Sequence, residues 1–175
     1  MGSLLVVTGP PGAGKSSVAK VLADRVSPSV LVEGDVFYAC LASGAIPPWL
    51  PESQEQNLIV GRAAAAATAV FSAEYDTVYD GVLGPWQLAD FMQAGSIEML
   101  DYAVVLPPVE VCVSRVAGRL GHGFDDEAAT RKMHAEFANA AIDGRHVFAD
   151  VIDTPDAMAE LIGERRVAGA LRRSG

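Results

Sequence analysis

The chain has 175 residues, half of them hydrophobic and a fifth charged, which is enough for one domain, 1–175, with a sizeable core. Its formal charge of −9 excludes a general nucleic-acid binder, because affinity for a phosphate backbone needs clustered Lys and Arg. No apolar run is long enough to span a membrane, no basic leader precedes the first strand, and Cys40 and Cys112 lack metal-like spacing. These features predict a cytoplasmic protein with reduced thiols and no membrane partner.

In chain order, Leu4 to Thr8 is a short apolar, β-branched run that predicts a buried strand. Gly9-Pro10-Pro11-Gly12-Ala13-Gly14-Lys15-Ser16 follows and fits G-x-x-x-x-G-K-[ST] without a mismatch. Val18, Val21, Leu22 and Val26 then recur at helical spacing. Strand, glycine loop and helix are the context in which this pattern makes an anion nest from consecutive N–H groups. Lys15 then reaches the outer phosphates, and the Ser16 hydroxyl holds Mg²⁺. Ser17 continues the helix beside them.

Val30 to Val32 reads as a second strand, closing at Glu33-Gly34-Asp35, with a short helix or turn over 36–43. The irregular, proline-rich stretch 44–51 carries Trp49, and Ser53 with Gln56 predicts a capping box at the start of a long helix to about Ala73. Thr77 to Tyr79 is the third strand and ends at Asp80-Gly81; Gly84-Pro85-Trp86 opens a loop before a short helix, 87–94. Tyr102 to Leu106 is the fourth strand, followed by a helix from Pro108 to about Gly118. A glycine-rich segment leads to a helix capped by Asp125-Asp126. His146 to Ile152 is the fifth strand, and Thr154-Pro155 opens the last helix before a frayed tail, 172–175. Alternating strands and helices predict an α/β, three-layer fold: a five-stranded parallel sheet with helices on both faces. Ligands in such sheets sit outside the carboxyl ends of the strands, which places Asp35 and Asp80 beside the glycine loop.

These residues resemble a family of small P-loop phosphotransferases that includes gluconate, shikimate and adenylate kinases and, most closely, chloramphenicol phosphotransferase-like proteins. The resemblance rests on Gly9 to Ser16, on Gly34-Asp35-Val36-Phe37, on Val78 to Val82, and on Arg115 through Phe124. The last stretch looks like a gluconate-kinase lid, with an added Gly123 between His122 and Phe124. The resemblance implies an ATP-dependent kinase that uses Mg²⁺ and moves the γ-phosphoryl group to a hydroxyl of a small molecule. The acceptor would be an antibiotic-like alcohol or a sugar acid, bound against 44–57 and covered by a lid at 119–127.

Within that reading Asp35 is the general base, or equally a helix cap. Asp80 orients Mg²⁺ or the acceptor, or is simply a turn residue. Arg115 and Arg119, four apart on one helix face, close over the nucleotide, with Arg131 on the other arm of the lid. Arg62 is placed to hold an anionic or polyhydroxy acceptor, and Phe37, Trp49, Trp86 and Phe91 to wall its pocket; for each the competing reading is an ordinary surface or core residue. Two alternatives stand beside the kinase. One is a zeta-toxin-like nucleotide-sugar kinase, and the other a nucleotide-binding ATPase or regulatory module without transfer. No protein partner is evident in the sequence.

Overall fold

A computed structural model describes residues 2–118, 126–152 and 154–175. Its strands are β1 (Ser3–Thr8), β2 (Ser29–Glu33), β3 (Asp76–Asp80), β4 (Met99–Val105), β5 (Val147–Phe148) and β6 (Arg172–Ser174). Its helices are α1 (Lys15–Asp24), α2 (Gln54–Glu74), α3 (Pro85–Ala94), α4 (Val109–Ala117), α5 (Glu127–Asn139) and α6 (Pro155–Val167), with a 3₁₀ segment at Gly34–Cys40. The sheet runs β2-β3-β1-β4-β5 with all five strands parallel, as expected, and β6 joins β4 antiparallel.

Burial explains the layers. Leu5, Val6 and Val7 are fully inaccessible, so β1 lies at the centre with both faces covered. Because side chains alternate along a strand, Leu5, Val7, Val78, Ala103 and Val105 pack with α1 and α6. Leu4, Val6, Tyr79, Tyr102 and Val104 pack instead with α2, α3 and Phe137 of α5.

Three local expectations are corrected. Residues 172–175 are not frayed: Arg172–Ser174 pairs with Met99–Asp101, and Leu171 is fully buried with its carbonyl accepting from the Tyr102 amide. That pairing also starts β4 at Met99, three residues before the predicted edge. The fifth strand is only two residues long, and 149–152 leave the sheet to border a cavity described below. Ser53 and Gln56 form no capping box. The Ser53 hydroxyl bonds the Pro48 and Leu50 carbonyls, and the Gln56 amide grips both the N–H and C=O of Ile46, at 2.8 and 2.7 Å. The same polar residues that could cap α2 are used to fasten the preceding loop to it.

His146, 1 % exposed, sits where α5 returns to β5. Its Nδ1 lies 3.0 Å from the Tyr102 carbonyl, and a carbonyl only accepts, so Nδ1 carries the proton and the buried Nε2 presents a lone pair. Burial holds its pKa below the ordinary histidine value. The neutral ring therefore favours the folded chain above the unfolded pKa of about 6.5, and that contribution is lost as pH falls below it. Urea titrations at descending pH are expected to show stability declining as pH falls below about 6.5, with a slope approaching at most ~1.4 kcal/mol per pH unit. In His146→Leu the decline over this window should flatten.

Candidate functional site

The site forms where β1 ends. Gly9, Gly12 and Gly14 all take positive φ, at 148°, 76° and 96°. At two of them space is also decisive: a methyl group on Gly9 would overlap the Val105 carbonyl, and one on Gly12 the Cys112 carbonyl. The loop is thus pressed against β4 and α4. It delivers the chain into α1 at Lys15 with no side-chain cap and no acidic residue in the first turn. The N–H groups of that turn remain open to an anion at the positive end of the helix.

Lys15 is buried, 8 % exposed, beside Asp80 at the tip of β3, itself 6 % exposed. The Ser16 hydroxyl stands near the Asp80 carboxylate and favours its charged form. Burial pushes the Asp80 carboxyl above its usual range; Lys15 and Ser16 pull it down, while Asp35 and Glu33 push it up again. Oδ1 of Asp80 is buried and has no hydrogen-bond partner among the described residues. An orphaned carboxylate oxygen beside a hydroxyl is an all-oxygen donor set suited to a hard cation, so the residues present fit Mg²⁺.

The loops around this point are tied together. Buried Thr8 accepts the Leu83 N–H at 2.8 Å, and the Tyr102 phenol donates to the Leu83 carbonyl at 2.7 Å, which fixes the turn after Asp80. Arg115 of α4 donates to the Ala13 carbonyl at 3.1 Å and so lies over the glycine loop. A cavity of about 480 Å³ opens there, lined by Gly12, Gly14, Arg115, Ile152, Pro155 and Met158. Its far wall was not anticipated residue by residue, although the carboxyl end of the fifth strand was the place to look.

On the opposite face of the sheet, Asp35 is exposed in the first turn of the 3₁₀ segment. Phe37 packs partly buried on the core beneath it. The Tyr38 phenol donates to Asn57, whose amide donates to Pro48 at 2.8 Å; burial and the nearby Asp35 charge raise the Tyr38 pKa to about 12. The stretch 44–57, half-buried Trp49 included, is therefore bonded at several points to α2 and to the 3₁₀ segment. Trp86 is half exposed and tilts against Phe137 with ring centres 5.1 Å apart.

Other predicted residues lie elsewhere. Phe91 is 2 % exposed and belongs to the core, not to a pocket wall. Arg62 makes a two-pronged ion pair with Asp90 of α3. Arg131 does the same with Glu110 and also bonds Glu127. Arg119 and His122 fall in 119–125 and lie outside the described residues, as does most of the expected lid 119–127; so does Asp153.

Fold and site together define a P-loop α/β domain of the nucleotide-binding kind. The chain belongs to the AAA domain family, whose pattern matches residues 4–141. Its fold is that of P-loop small-molecule kinases. It is similar to the tunicamycin resistance protein of Deinococcus radiodurans, with a TM-score of 0.72 and 14% identity over 95% of this chain and 96% of that one. Mycobacterium tuberculosis APS kinase, solved with AMPPNP and APS, gives 0.69 and 15% over 95% and 98%. Shikimate kinase from Acinetobacter baumannii, solved with shikimate, gives 0.63 and 17% over 95% and 94%. At these identities the likeness is one of fold, and it meets the resemblance expected from the sequence. Among the described residues no helix is long and apolar enough to cross a membrane.

The Thr8 tie is open to test. Thr8→Val removes the only acceptor shown for a buried N–H and is expected to lower the unfolding free energy by about 1–3 kcal/mol. Urea unfolding would measure it, and an unchanged midpoint would show that the Leu83 N–H finds another partner.

Proposed function

We propose that the protein is an ATP-dependent small-molecule kinase that moves the γ-phosphoryl group to a hydroxyl of an uncharged acceptor. The observation that carries the reading is the junction at the tip of β3. There an uncapped helix start, a buried lysine, and a serine hydroxyl beside a buried carboxylate with an unpartnered oxygen converge at the glycine loop. Phosphoryl transfer asks a protein mainly for positioning and charge stabilisation, and these groups supply both.

In this reading the N–H groups of the glycine loop beyond Pro10 and Pro11 and of the first turn of α1 cradle the phosphates, and Lys15 neutralises the outer ones. The nucleoside occupies the 480 Å³ cavity, with Arg115 over the phosphate chain. Ser16 and Asp80 would hold Mg²⁺, which when bound offsets charge on the β- and γ-phosphates. Asp35, across the end of β2, accepts the proton of the acceptor hydroxyl as its oxygen bonds to phosphorus and the bond to the ADP oxygen breaks. Arg119 is kept as an arginine reaching the transition state from the lid, on sequence grounds alone. The domain is taken as a single unit, 1–175.

The charge of the acceptor follows from an account of the cations. On the acceptor side Arg62 and Arg131 are both committed to carboxylates. Lys132 lies exposed on α5, whose buried residues Thr130 and Phe137 are on its other side. Phe37, Trp86, Leu106 and Met133 offer partly exposed apolar surface on this side. A sugar acid would bring a carboxylate into this acidic setting; a neutral alcohol with apolar or aromatic groups suits it. Phe37, Trp49, Trp86, Asp35 and Asp80 are the residues proposed to contact it, and Arg62 is retained only through its pairing with Asp90.

A coupled ADP-release screen of purified protein against neutral and anionic alcohols tests this reading. Neutral acceptors should be turned over preferentially, and Lys15→Ala should reduce turnover roughly 10²–10³-fold, the scale for losing one preorganised charge-stabilising group. Unchanged turnover in Lys15→Ala would remove the mechanism, and ATP hydrolysis with no phosphorylated product would favour the ATPase module. In a second arm, Asp35→Asn should cost roughly 10²–10⁴ in kcat with nucleotide affinity nearly intact.

A further inference from the structure

Two turns carry the carboxylates assigned above, and each pairs its aspartate with a glycine: Gly34-Asp35 after β2 and Asp80-Gly81 after β3. Neither glycine is among those with positive φ, so backbone conformation does not require glycine at either place. Space does, and the same side chain takes it in both. A methyl group on Gly34 would overlap the Tyr79 phenol oxygen and come within 2.9 Å of Cζ. One on Gly81 would stand 2.9 Å from that oxygen and 3.0 Å from Cε1. Val32 pairs with Tyr79 and Glu33 with Asp80, so the turns lie side by side with the ring tucked between them.

We propose that Tyr79 is a positioning residue for phosphoryl transfer, its buried phenol acting as the spacer that sets the separation of the Asp35 and Asp80 turns. The inference rests on the roles given to those two aspartates under the proposed function. Strand alternation makes the arrangement possible: Val78 packs on the α1 face of the sheet and Tyr79 on the α2 face. Asp80 is thereby returned to the α1 side, where Ser16 and Lys15 meet it. The ring is itself held from the far side. Tyr79 is 5 % exposed and stands edge-on to Phe91 at 5.0 Å and 62°. Phe91, expected to wall the acceptor pocket, thus acts one layer below it, as the stop for this ring. Burial, with Asp35, Tyr38 and Asp80 nearby, raises the phenol's pKa well above its ordinary value, so Tyr79 stays neutral and carries no proton in the reaction.

The experiment compares Mg-ATP turnover, with the best acceptor from the screen and with water alone, across Tyr79→Phe, Tyr79→Leu, Gly34→Ala and Gly34→Ala/Tyr79→Leu. Tyr79→Phe keeps the ring and removes the oxygen that meets Gly34. It is expected to lower kcat roughly 10–10²-fold through misplacement of reacting groups by about 1 Å or less, with the KM for ATP unchanged. Gly34→Ala should lower kcat similarly. In the double variant the smaller side chain admits the methyl group, so the loss should fall short of the product of the single losses. A merely structural role would instead lower the melting temperature and leave kcat per folded molecule untouched. Wild-type kcat in Tyr79→Phe, or strictly multiplicative losses in the double variant, would overturn the spacer. Asp35→Asn and Asp80→Asn run alongside. If both leave turnover unchanged, the proposed function and the spacer fall together; if both reduce it while Tyr79→Phe does not, the spacer alone fails.

Discussion

The structure turns on a buried lysine and a buried aspartate held side by side at the positive end of an uncapped helix. Each charge is costly to remove from water, and each is tolerable there because the other is present. The arrangement is nevertheless incomplete. One oxygen of Asp80 has no partner among the described residues, and the first-turn amides of α1 have no side-chain cap. Buried atoms without a partner also occur at Asp101 Oδ1 and His146 Nε2, but only at Asp80 does one stand beside an uncapped helix start, where an anion and a cation would meet the demand together. On the proposed function, this is where a chain of net charge −9 concentrates its attraction for a polyphosphate.

The sheet divides the work. Alternation along β3 sends Asp80 to the face shared with α1 and Tyr79 to the face shared with α2 and α3, so consecutive residues face the two sides of the sheet. The cavity beside Arg115 lies on the α1 and α6 face, while the aromatic and apolar rim around Asp35 lies on the other. The two meet only at the strand tips. The proposed transfer crosses that line, and the bond from Thr8 to the Leu83 N–H anchors the turn after β3 to the strand that leads into the glycine loop.

What could be read in the sequence follows from the range of the interactions involved. Strand, loop and α1 were legible because local periodicity and a contiguous motif determine them, and the carboxyl ends of β2 and β3 marked Asp35 and Asp80 without any tertiary information. The tail was not legible. Arg172–Ser174 has no strand-like pattern, and its order comes from pairing with Met99–Asp101, more than seventy residues away. Ser53 and Gln56 carry a genuine capping spacing, but the same donors and acceptors have better partners in the loop at 46–50. Nothing local in the sequence decides between those uses.

Charged residues were the hardest to place, because an arginine's role depends on whether an acid reaches it first. Arg62 and Arg131 both sit on helices bordering the acceptor side, where sequence position alone suggested substrate or lid contacts. Asp90 and Glu110 reach them from neighbouring helices, 28 and 21 residues away in sequence. Those exposed pairs add little stability, since side-chain entropy and solvent screening offset most of the attraction. Their consequence is local: each guanidinium is engaged by carboxylates and does not stand free for an anionic ligand. Arg115 has no carboxylate partner among the ion pairs found and donates to a backbone carbonyl of the glycine loop. On the proposed function this keeps its charge on the phosphate side, so it is the distribution of acids between helices, and not the number of cations, that would set where an anion is drawn.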